Sequence, residues 1–365
     1  MHRFRRIRNA VFALAVCAAV LAPLMPPRVR DVFLLCAAYS IIALGLNVVT
    51  GYAGLLDLGI VVFAAVGAYT ATILYDRPWM QFPGSFVVAL AAGGLHAAAW
   101  GLVRGAPTLR LTGDYYAIVT FAFAEIARIF IRNEGWLTGG GNGFKNFPDL
   151  NLFGATLVGG SYQGLLKDRG SWLYPRGGQW HGGTAEFYYL CILLLALTVL
   201  VMARLERSRT GRAWLAIKSD EVSAASSGVP LAAYKMKAFA VSAFFAGLGG
   251  ALIGFRSNIV STNVFDFWLS VVVLCGVVSG GMGSIVGAIA GTFLIVGLGE
   301  VLREQIAVGG MVFRVDERAR YLMFGLLLVF VMLFRAQGLF PRGRRAERED
   351  AGTGDGGRLF HLGEG

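Results

Sequence analysis

Charge is scarce in this chain. Asp, Glu, Lys and Arg make up 15% of the 365 residues, against 56% hydrophobic ones. A water-soluble domain of this length needs far more charge to cover its outside, so a soluble enzyme is excluded. Ligands for metal or redox chemistry are equally thin. The four histidines, His2, His96, His181 and His361, are scattered and form no metal-binding cluster. The four cysteines, Cys17, Cys36, Cys191 and Cys275, all lie inside apolar runs and read as reduced hydrophobic fillers rather than disulfide partners. There is no Gly-Lys dipeptide, since the lysines are Lys145, Lys167, Lys218, Lys235 and Lys237. A phosphate-cradling Gly-x-x-x-x-Gly-Lys-Ser/Thr loop is therefore ruled out, and any ATP hydrolysis belongs to another chain. No Gly-x-Ser-x-Gly nucleophile elbow occurs either. Nothing points to catalysis or to a resident cofactor.

What is abundant is apolar length. Runs of about 18 residues or more, separated by short polar joints, indicate a polytopic helical membrane protein. The ten-residue alternating segments of a transmembrane barrel do not occur. The fold class is all-α, with about ten transmembrane helices. The spans fall near 10–25, 31–50, 54–75, 84–103, 115–132, 185–204, 236–255, 266–282, 284–302 and 319–335. The first follows MHRFRRIRN in the manner of a signal peptide. APLMPPRVRD offers no small-x-small cleavage site and a second apolar run starts at once, so an uncleaved first helix is expected.

The net charge of +11 does not point to nucleic acid, because the basic residues sit in loops and ends between spans. With Arg3, Arg5, Arg6 and Arg8 in the cytoplasm, ten spans return the tail, with Arg342, Arg344, Arg345 and Arg348, to the same side. Arg104 and Arg110 then form part of an inner loop, as does the 205–235 segment with Arg204, Arg207, Arg209, Arg212 and Lys218 around it. Loop 303–318 goes against the trend with Arg303, Arg314 and Arg318, offset by Glu304, Asp316 and Glu317. The expected organisation is a transmembrane domain over 1–335, with 133–184 on the outer side and 205–235 on the inner side. A cytoplasmic tail follows over 336–365, its EREDAGTGDGG stretch lacking the apolar residues to fold.

Small residues repeat every four positions in Gly276-x-x-x-Gly280-x-x-x-Ser284, Gly283-x-x-x-Gly287-x-x-x-Gly291 and Ala243-x-x-x-Gly247-x-x-x-Ala251. Such stripes let helix backbones approach closely in lipid. The doublets Gly249-Gly250 and Gly280-Gly281 are candidates for unwound helix, which a membrane interior tolerates only beside protein or a cavity. In GYAGLLDLG, Gly51, Gly54 and Gly59 are expected to break a helix around Asp57. That carboxylate is either a passage-lining group or the cap of a re-entrant half-helix. Glu125 and Arg128, three apart, are expected to neutralise one another. In LTGGGN, Thr138 and Asn142 are candidates to meet an arriving solute or its carrier, unless the segment is only a glycine-rich turn.

The most polar joint is KSDEVSAASSGVP. Ser219 or Asp220 caps a short helix, Asp220 and Glu221 complement its dipole, Ala224 and Ala225 favour it, Gly228 suits its left-handed end and Pro230 stops it. The result is a helix of about two turns, either a solvated connector or a rod for a groove on a soluble partner.

This loop, Ser208 to Leu252, resembles the cytoplasmic loop of the LivM-type permease subunits of branched-chain amino acid ABC importers. So do LGLNVVTGYAGLLDLGIVVFAAVGAYTA (44–71), LRLTGDYYAIVTFAFAEIARIFIRN (109–133), LTGGGNGF (137–144) and GGMGSIVGAIAGTFLI (280–295), all in family order. The resemblance implies that Glu221, Ala224, Ala225 and Gly228 form the Glu-Ala-Ala…Gly element that docks on ATPase subunits, with Arg212 and Asp220 beside it. It implies two ATPase partners, a second homologous permease chain, a periplasmic binding protein, two inverted halves and a place in the bacterial inner membrane. Gly141 stands where the family has proline, Ile60 replaces a more usual polar or aromatic residue, and 151–183 has no counterpart. A urea or short-amide permease shares the scaffold, and an ion-coupled transporter is the reading that needs no ATPase.

Overall fold

A computed structural model describes residues 27–76, 85–109, 111, 114–145, 185–257 and 259–303, four short pieces at 150–152, 155–158, 306–308 and 311–313, and scattered positions from 322 to 340. The span read at 10–25, nearly all of that at 319–335, and most of 151–183 lie outside the described residues.

The described chain is helical almost throughout: α1 (Pro27–Asn47), α2 (Ile60–Tyr75), α3 (Ser85–Thr108), α4 (Asp114–Asn133), the single turn α5 (Gly135–Thr138), α6 (Ala185–Arg207), α7 (Arg209–Ser219), α8 (Glu221–Ser226), α9 (Leu231–Ser257), α10 (Phe267–Gly280) and α11 (Ile285–Arg303). Strands among the described residues are two to four residues long and pair only two by two. Val29–Tyr52, Ser85–Thr108, Phe187–Arg207 and Leu231–Ser257 are each long and apolar enough to cross a bilayer, and Ile60–Tyr75, Phe267–Gly280 and Ile285–Glu300 are shorter apolar helices. The chain is an all-α polytopic membrane protein. Helix α4, expected as a span, carries Asp114, Glu125, Arg128 and Arg132 and is the most amphipathic of the long helices, with Ile118, Ile126 and Phe130 exposed along one face.

Helix α9 is the hub, packed along α1, α2 and α3, while α10 and α11 form an antiparallel hairpin leaning on α1. Its 27 residues extend for about 40 Å, longer than the ~30 Å hydrocarbon layer. Glycine allows the close crossings. A Cβ on Gly67 would collide with the backbone of Gly247, one on Gly250 with Ala64, and one on Gly280 with Gly287. Without a hydrophobic drive between helices in lipid, such backbone contact is a large part of what holds them together. The stripes at 276–280 and 287–291 thus serve packing. The Gly249-Gly250 doublet unwinds nothing, because α9 runs unbroken through it. Gly281 does end α10.

Contacts between helix termini sort the bundle into two ends. At one, Arg256 near the end of α9 holds Asp31 near the start of α1, with Nε 2.8 Å from Oδ1. Phe144–Lys145 pairs there with Ile259–Val260. Rings of Tyr75, Phe86, Phe187 and Phe255 cluster edge to face at the ends of α2, α3, α6 and α9. At the other end lie Asn47, the 51–59 stretch, α7, α8 and Gly283, described below. Leu339 and Phe340, within the stretch expected as a tail, donate backbone hydrogen bonds to Ser279 and Gly280 carbonyls, both at 2.9 Å. Cys36, Cys191 and Cys275 are free and buried, as expected of fillers. Cys17 lies outside the described residues.

Gly67→Ala is expected to cost about 1–3 kcal/mol by forcing α2 from α9. Gly135→Ala, which meets nothing within 4 Å, should stay within about 0.5 kcal/mol. Thermal unfolding of the two purified variants in detergent measures the contrast.

Candidate functional site

Helix α2 has 16 residues and extends for about 24 Å, too short to cross ~30 Å of hydrocarbon. The chain before it accordingly leaves the α-helix at membrane depth. A π-helical turn, Val48–Tyr52, follows α1, and residues 53–59 have no regular structure. Backbone exposed in this way needs partners from the protein. Ala53 and Leu55 donate to the carbonyls of Val48 and Val49 at 3.1 and 3.0 Å. Leu58 N–H donates to Thr120 Oγ1 at 3.2 Å.

Asp57 sits at the centre of this break. Its Oδ1 accepts from Gly59 N–H at 2.8 Å, closing a turn just ahead of α2, whose N-cap is Gly59 and receives no side-chain cap. Both its oxygens accept from Arg104, Nη1 lying 2.8 Å from Oδ1 and Nη2 pairing with Oδ2. The two side chains are 0% and 1% exposed. Phe63 adds its ring face 4.4 Å from the guanidinium carbon. The carboxylate is thus paired with Arg104 and closed to solvent in this conformation, and it does not cap α2. Arg104, read from sequence as part of a loop, is instead in the last turns of α3 and wholly buried. A charge left alone at membrane depth is costly, so Asp57 itself was the signal that a cation had to lie opposite.

The three glycines of the break are there for proximity. A Cβ on Gly51 would reach Gly283 N at 2.5 Å, and one on Gly59 would reach Thr120 O at 2.5 Å and Arg104 Nη1 at 2.9 Å. Gly54, at φ +77°, lies against Lys218, whose Cγ would be 2.9 Å from an added Cβ. Asn47 Oδ1 accepts from Gly283 N–H at 2.8 Å, so this break touches the second one, between α10 and α11.

The polar joint docks onto the same place. It contains two helices where one was expected. Helix α7 starts at Ser208, whose Oγ accepts from Gly211 N–H at 3.2 Å. Its fully buried Trp214 donates to Tyr234 O at 2.7 Å. Its last turn carries Lys218, and Nζ donates to Gly51 O at 2.8 Å. Asp220 is the cap of α8, accepting from Ser223 N–H at 2.9 Å. Helix α8 closes in a Schellman turn: Val229 N–H donates to Ala224 O and Gly228 N–H to Ala225 O, with Gly228 at φ +80°. Glu221 pairs with Lys235 of α9 at 2.7 Å. Ala224 faces inward, whereas Val222, Ala225 and Gly228 are exposed, Val222 by 76%. Arg212 donates to Arg207 O at 3.0 Å and stays on the surface of the loop. Lys218 and Lys235 were missed by sequence reasoning; the signal was two lysines flanking a carboxylate in a chain with few of either.

At the opposite end, Thr138 is buried and its hydroxyl serves the local turn, bonding the carbonyls of Ile131 and Glu134 at 2.6 Å. Asn142 is exposed. The two therefore differ: Thr138 shapes the segment and Asn142 faces out. Glu125 and Arg128 pair as expected, Nε lying 3.0 Å from Oε1. Among the described residues no three His, Cys, Asp or Glu side chains gather as a metal site.

Arg104→Met should leave Asp57 buried and unpaired, at a cost of about 3–5 kcal/mol. The double variant Arg104→Met/Asp57→Asn should regain most of that, because no charge is stranded. Thermal unfolding and purified yield in detergent measure both; equal losses would sink the pairing account.

Comparison with known proteins bears on this arrangement. The pattern of the family "branched-chain amino acid transport system / permease component" matches residues 29–332. The chain is 37% identical over 340 residues to the high-affinity branched-chain amino acid transport system permease protein LivM of Escherichia coli, covering 93% of this chain and 76% of that protein. It is 36% identical over 352 residues to the LivM of Salmonella typhimurium, covering 96% and 79%. The protein BraD of Pseudomonas aeruginosa, likewise described as a high-affinity branched-chain amino acid transport system permease, is 26% identical over 84% of this chain and 92% of its own length. No solved structure matches the chain. With its broken helices, its docked polar loop and a family match that covers most of its length, this chain belongs to the permease components of branched-chain amino acid transport systems.

Proposed function

We propose that the protein is the membrane-spanning permease subunit of an ATP-binding-cassette importer that passes branched-chain amino acids. It works in the bacterial inner membrane beside a second, homologous permease chain, and it contains two inverted halves itself. Two ATPase subunits dock on the 205–235 loop from the cytoplasm, the side on which both termini also lie. A periplasmic binding protein delivers solute at the 133–184 face. The chain is not itself an enzyme; hydrolysis takes place on the ATPases.

The observation that carries this reading is the bond from Lys218 Nζ to Gly51 O. A docking element is useful only if it is joined to what moves. Helix α8 presents Val222, Ala225 and Gly228 outward while Glu221 grips Lys235 behind it. Through Lys218 the same loop holds Gly51, and through Gly51 the contact of Asn47 with Gly283. A push on α8 therefore reaches both helix breaks, as rigid-body rocking requires. Arg212 and Asp220 position α7 and α8. Gly54, Asp57 and Gly59 belong to the moving segment, with Asp57 acting on the passage through Arg104, and Asn142 belongs to the outer face.

Two measurements test this. Val222→Lys with Ala225→Glu alters only exposed positions, so unfolding should stay within about 0.5 kcal/mol, while co-purification of the ATPase is lost. Lys218→Met should retain the ATPase yet lower leucine uptake in vesicles about tenfold, the weight of one charged hydrogen bond. Uptake that persists with no ATPase present would sink the reading in favour of an ion-coupled transporter.

A further inference from the structure

We infer that Gly338–Phe340 is a clasp that fixes the joint between α10 and α11 and so positions that joint for solute passage. The role in passage rests on the function proposed above; the clasp itself does not. By sequence this segment is the head of a polar tail. The fold instead builds it into the bundle.

Helix α10 has 14 residues and extends for about 21 Å, short of the ~30 Å hydrocarbon layer. Its end is buried at Ser279, Gly280 and Gly281. The carbonyls left over at a buried helix end need partners from the protein. The helix meets this need only in part, through Gly281 N–H, which donates to Val277 O at 3.0 Å. The carbonyls of Ser279 and Gly280 accept instead from Leu339 and Phe340 N–H, each at 2.9 Å. By contrast, α11 supplies its own start, Ser284 Oγ accepting from Gly287 N–H at 3.2 Å. The end of α10 is therefore completed by a remote piece of chain.

The fit is close and is made by backbone. Gly338 is buried at φ +78°, and a Cβ on it would lie 2.4 Å from Gly281 Cα. The side chains of Leu339 and Phe340 are exposed and are not needed for either bond. Gly281 and Gly283 both have positive φ, so the joint itself is glycine backbone, which is permissive unless something holds it. From its other side the joint meets Asn47, whose Oδ1 accepts from Gly283 N–H at 2.8 Å, and Gly51, whose carbonyl accepts from Lys218 Nζ. It is thus held between the clasp and the segment joined to the polar loop. Unclasped, the glycines would absorb a displacement arriving through Gly51. Clasped, they pass it to α10 and α11 as rigid rods.

Hydrogen exchange on the whole protein in detergent tests the clasp directly. The amides of Leu339 and Phe340 should be strongly protected, and exchange at the rate of free chain overturns the clasp. Its role is tested with the whole importer in vesicles, together with the second permease, the ATPases and the binding protein. Gly338→Ala drives the segment off Gly281 and should lower labelled leucine uptake about tenfold, while ATP hydrolysis stimulated by leucine-loaded binding protein persists. Leu339→Ala/Phe340→Ala keeps both N–H groups and should take up leucine as wild type does. Gly338→Ala uptake equal to wild type overturns the positioning role, as does parallel loss of uptake and hydrolysis, which marks packing alone. Loss of uptake in the double-alanine variant also overturns it, because side chains and not backbone would then be at work. Wild-type vesicles that take up no leucine overturn the functional reading and leave the exchange result to judge the clasp.

Discussion

Backbone that leaves a helix inside a membrane must find all its hydrogen-bond partners in the protein. The buried pair of Asp57 and Arg104 is how this chain meets that demand at the 53–59 break. The aspartate holds the Gly59 N–H just ahead of α2 and the arginine neutralises it, with an aromatic ring closing the site. An isolated charge there would neutralise itself by protonation or draw water in. As a pair, the two side chains let α1 and α2 be separate rods joined by a defined irregular link. Everything else at that end of the bundle is arranged against this link.

The proposed coupling loop depends on it. Helix α8 is short and stabilised almost entirely by its ends, with Asp220 at one and Gly228 at the other. A rod of six residues has little stability of its own, so its position is set by Glu221 on Lys235 and by α7, anchored through Trp214. Lys218 then bridges from this loop to the glycine segment, and Gly51 lets the two breaks meet. Under the proposed function, the same two glycine-broken places share one mechanical input.

Glycine does two separate jobs here. On α2, α3, α9, α10 and α11 it shortens the distance between continuous helices, as at Gly67, Gly250 and Gly280. At Gly51 and Gly59 it clears space for a side-chain carbonyl, a backbone carbonyl and a guanidinium. Sequence spacing distinguishes these only in part. The four-residue stripes announced packing, and the irregular glycines around Asp57 announced a break. The Gly249-Gly250 doublet looked like a break and is packing, because what decides is the Ala64 backbone lying across it.

Helix class, the edges of most spans to within several residues, the capped helix of the polar joint and the likeness to the permease family were all legible in the chain alone. They depend on local matters: apolar run length, capping residues and small-residue period. The partners of Asp57, the second helix of the polar joint and the reach of Lys218 to Gly51 were not legible. Lys218 and Gly51 are 167 residues apart, and no periodicity encodes which distant turn a side chain will meet. The sequence by itself determined that helices would form and where they would stop. Only the tertiary packing decided which charges would be paired and which glycines would be pressed against backbone.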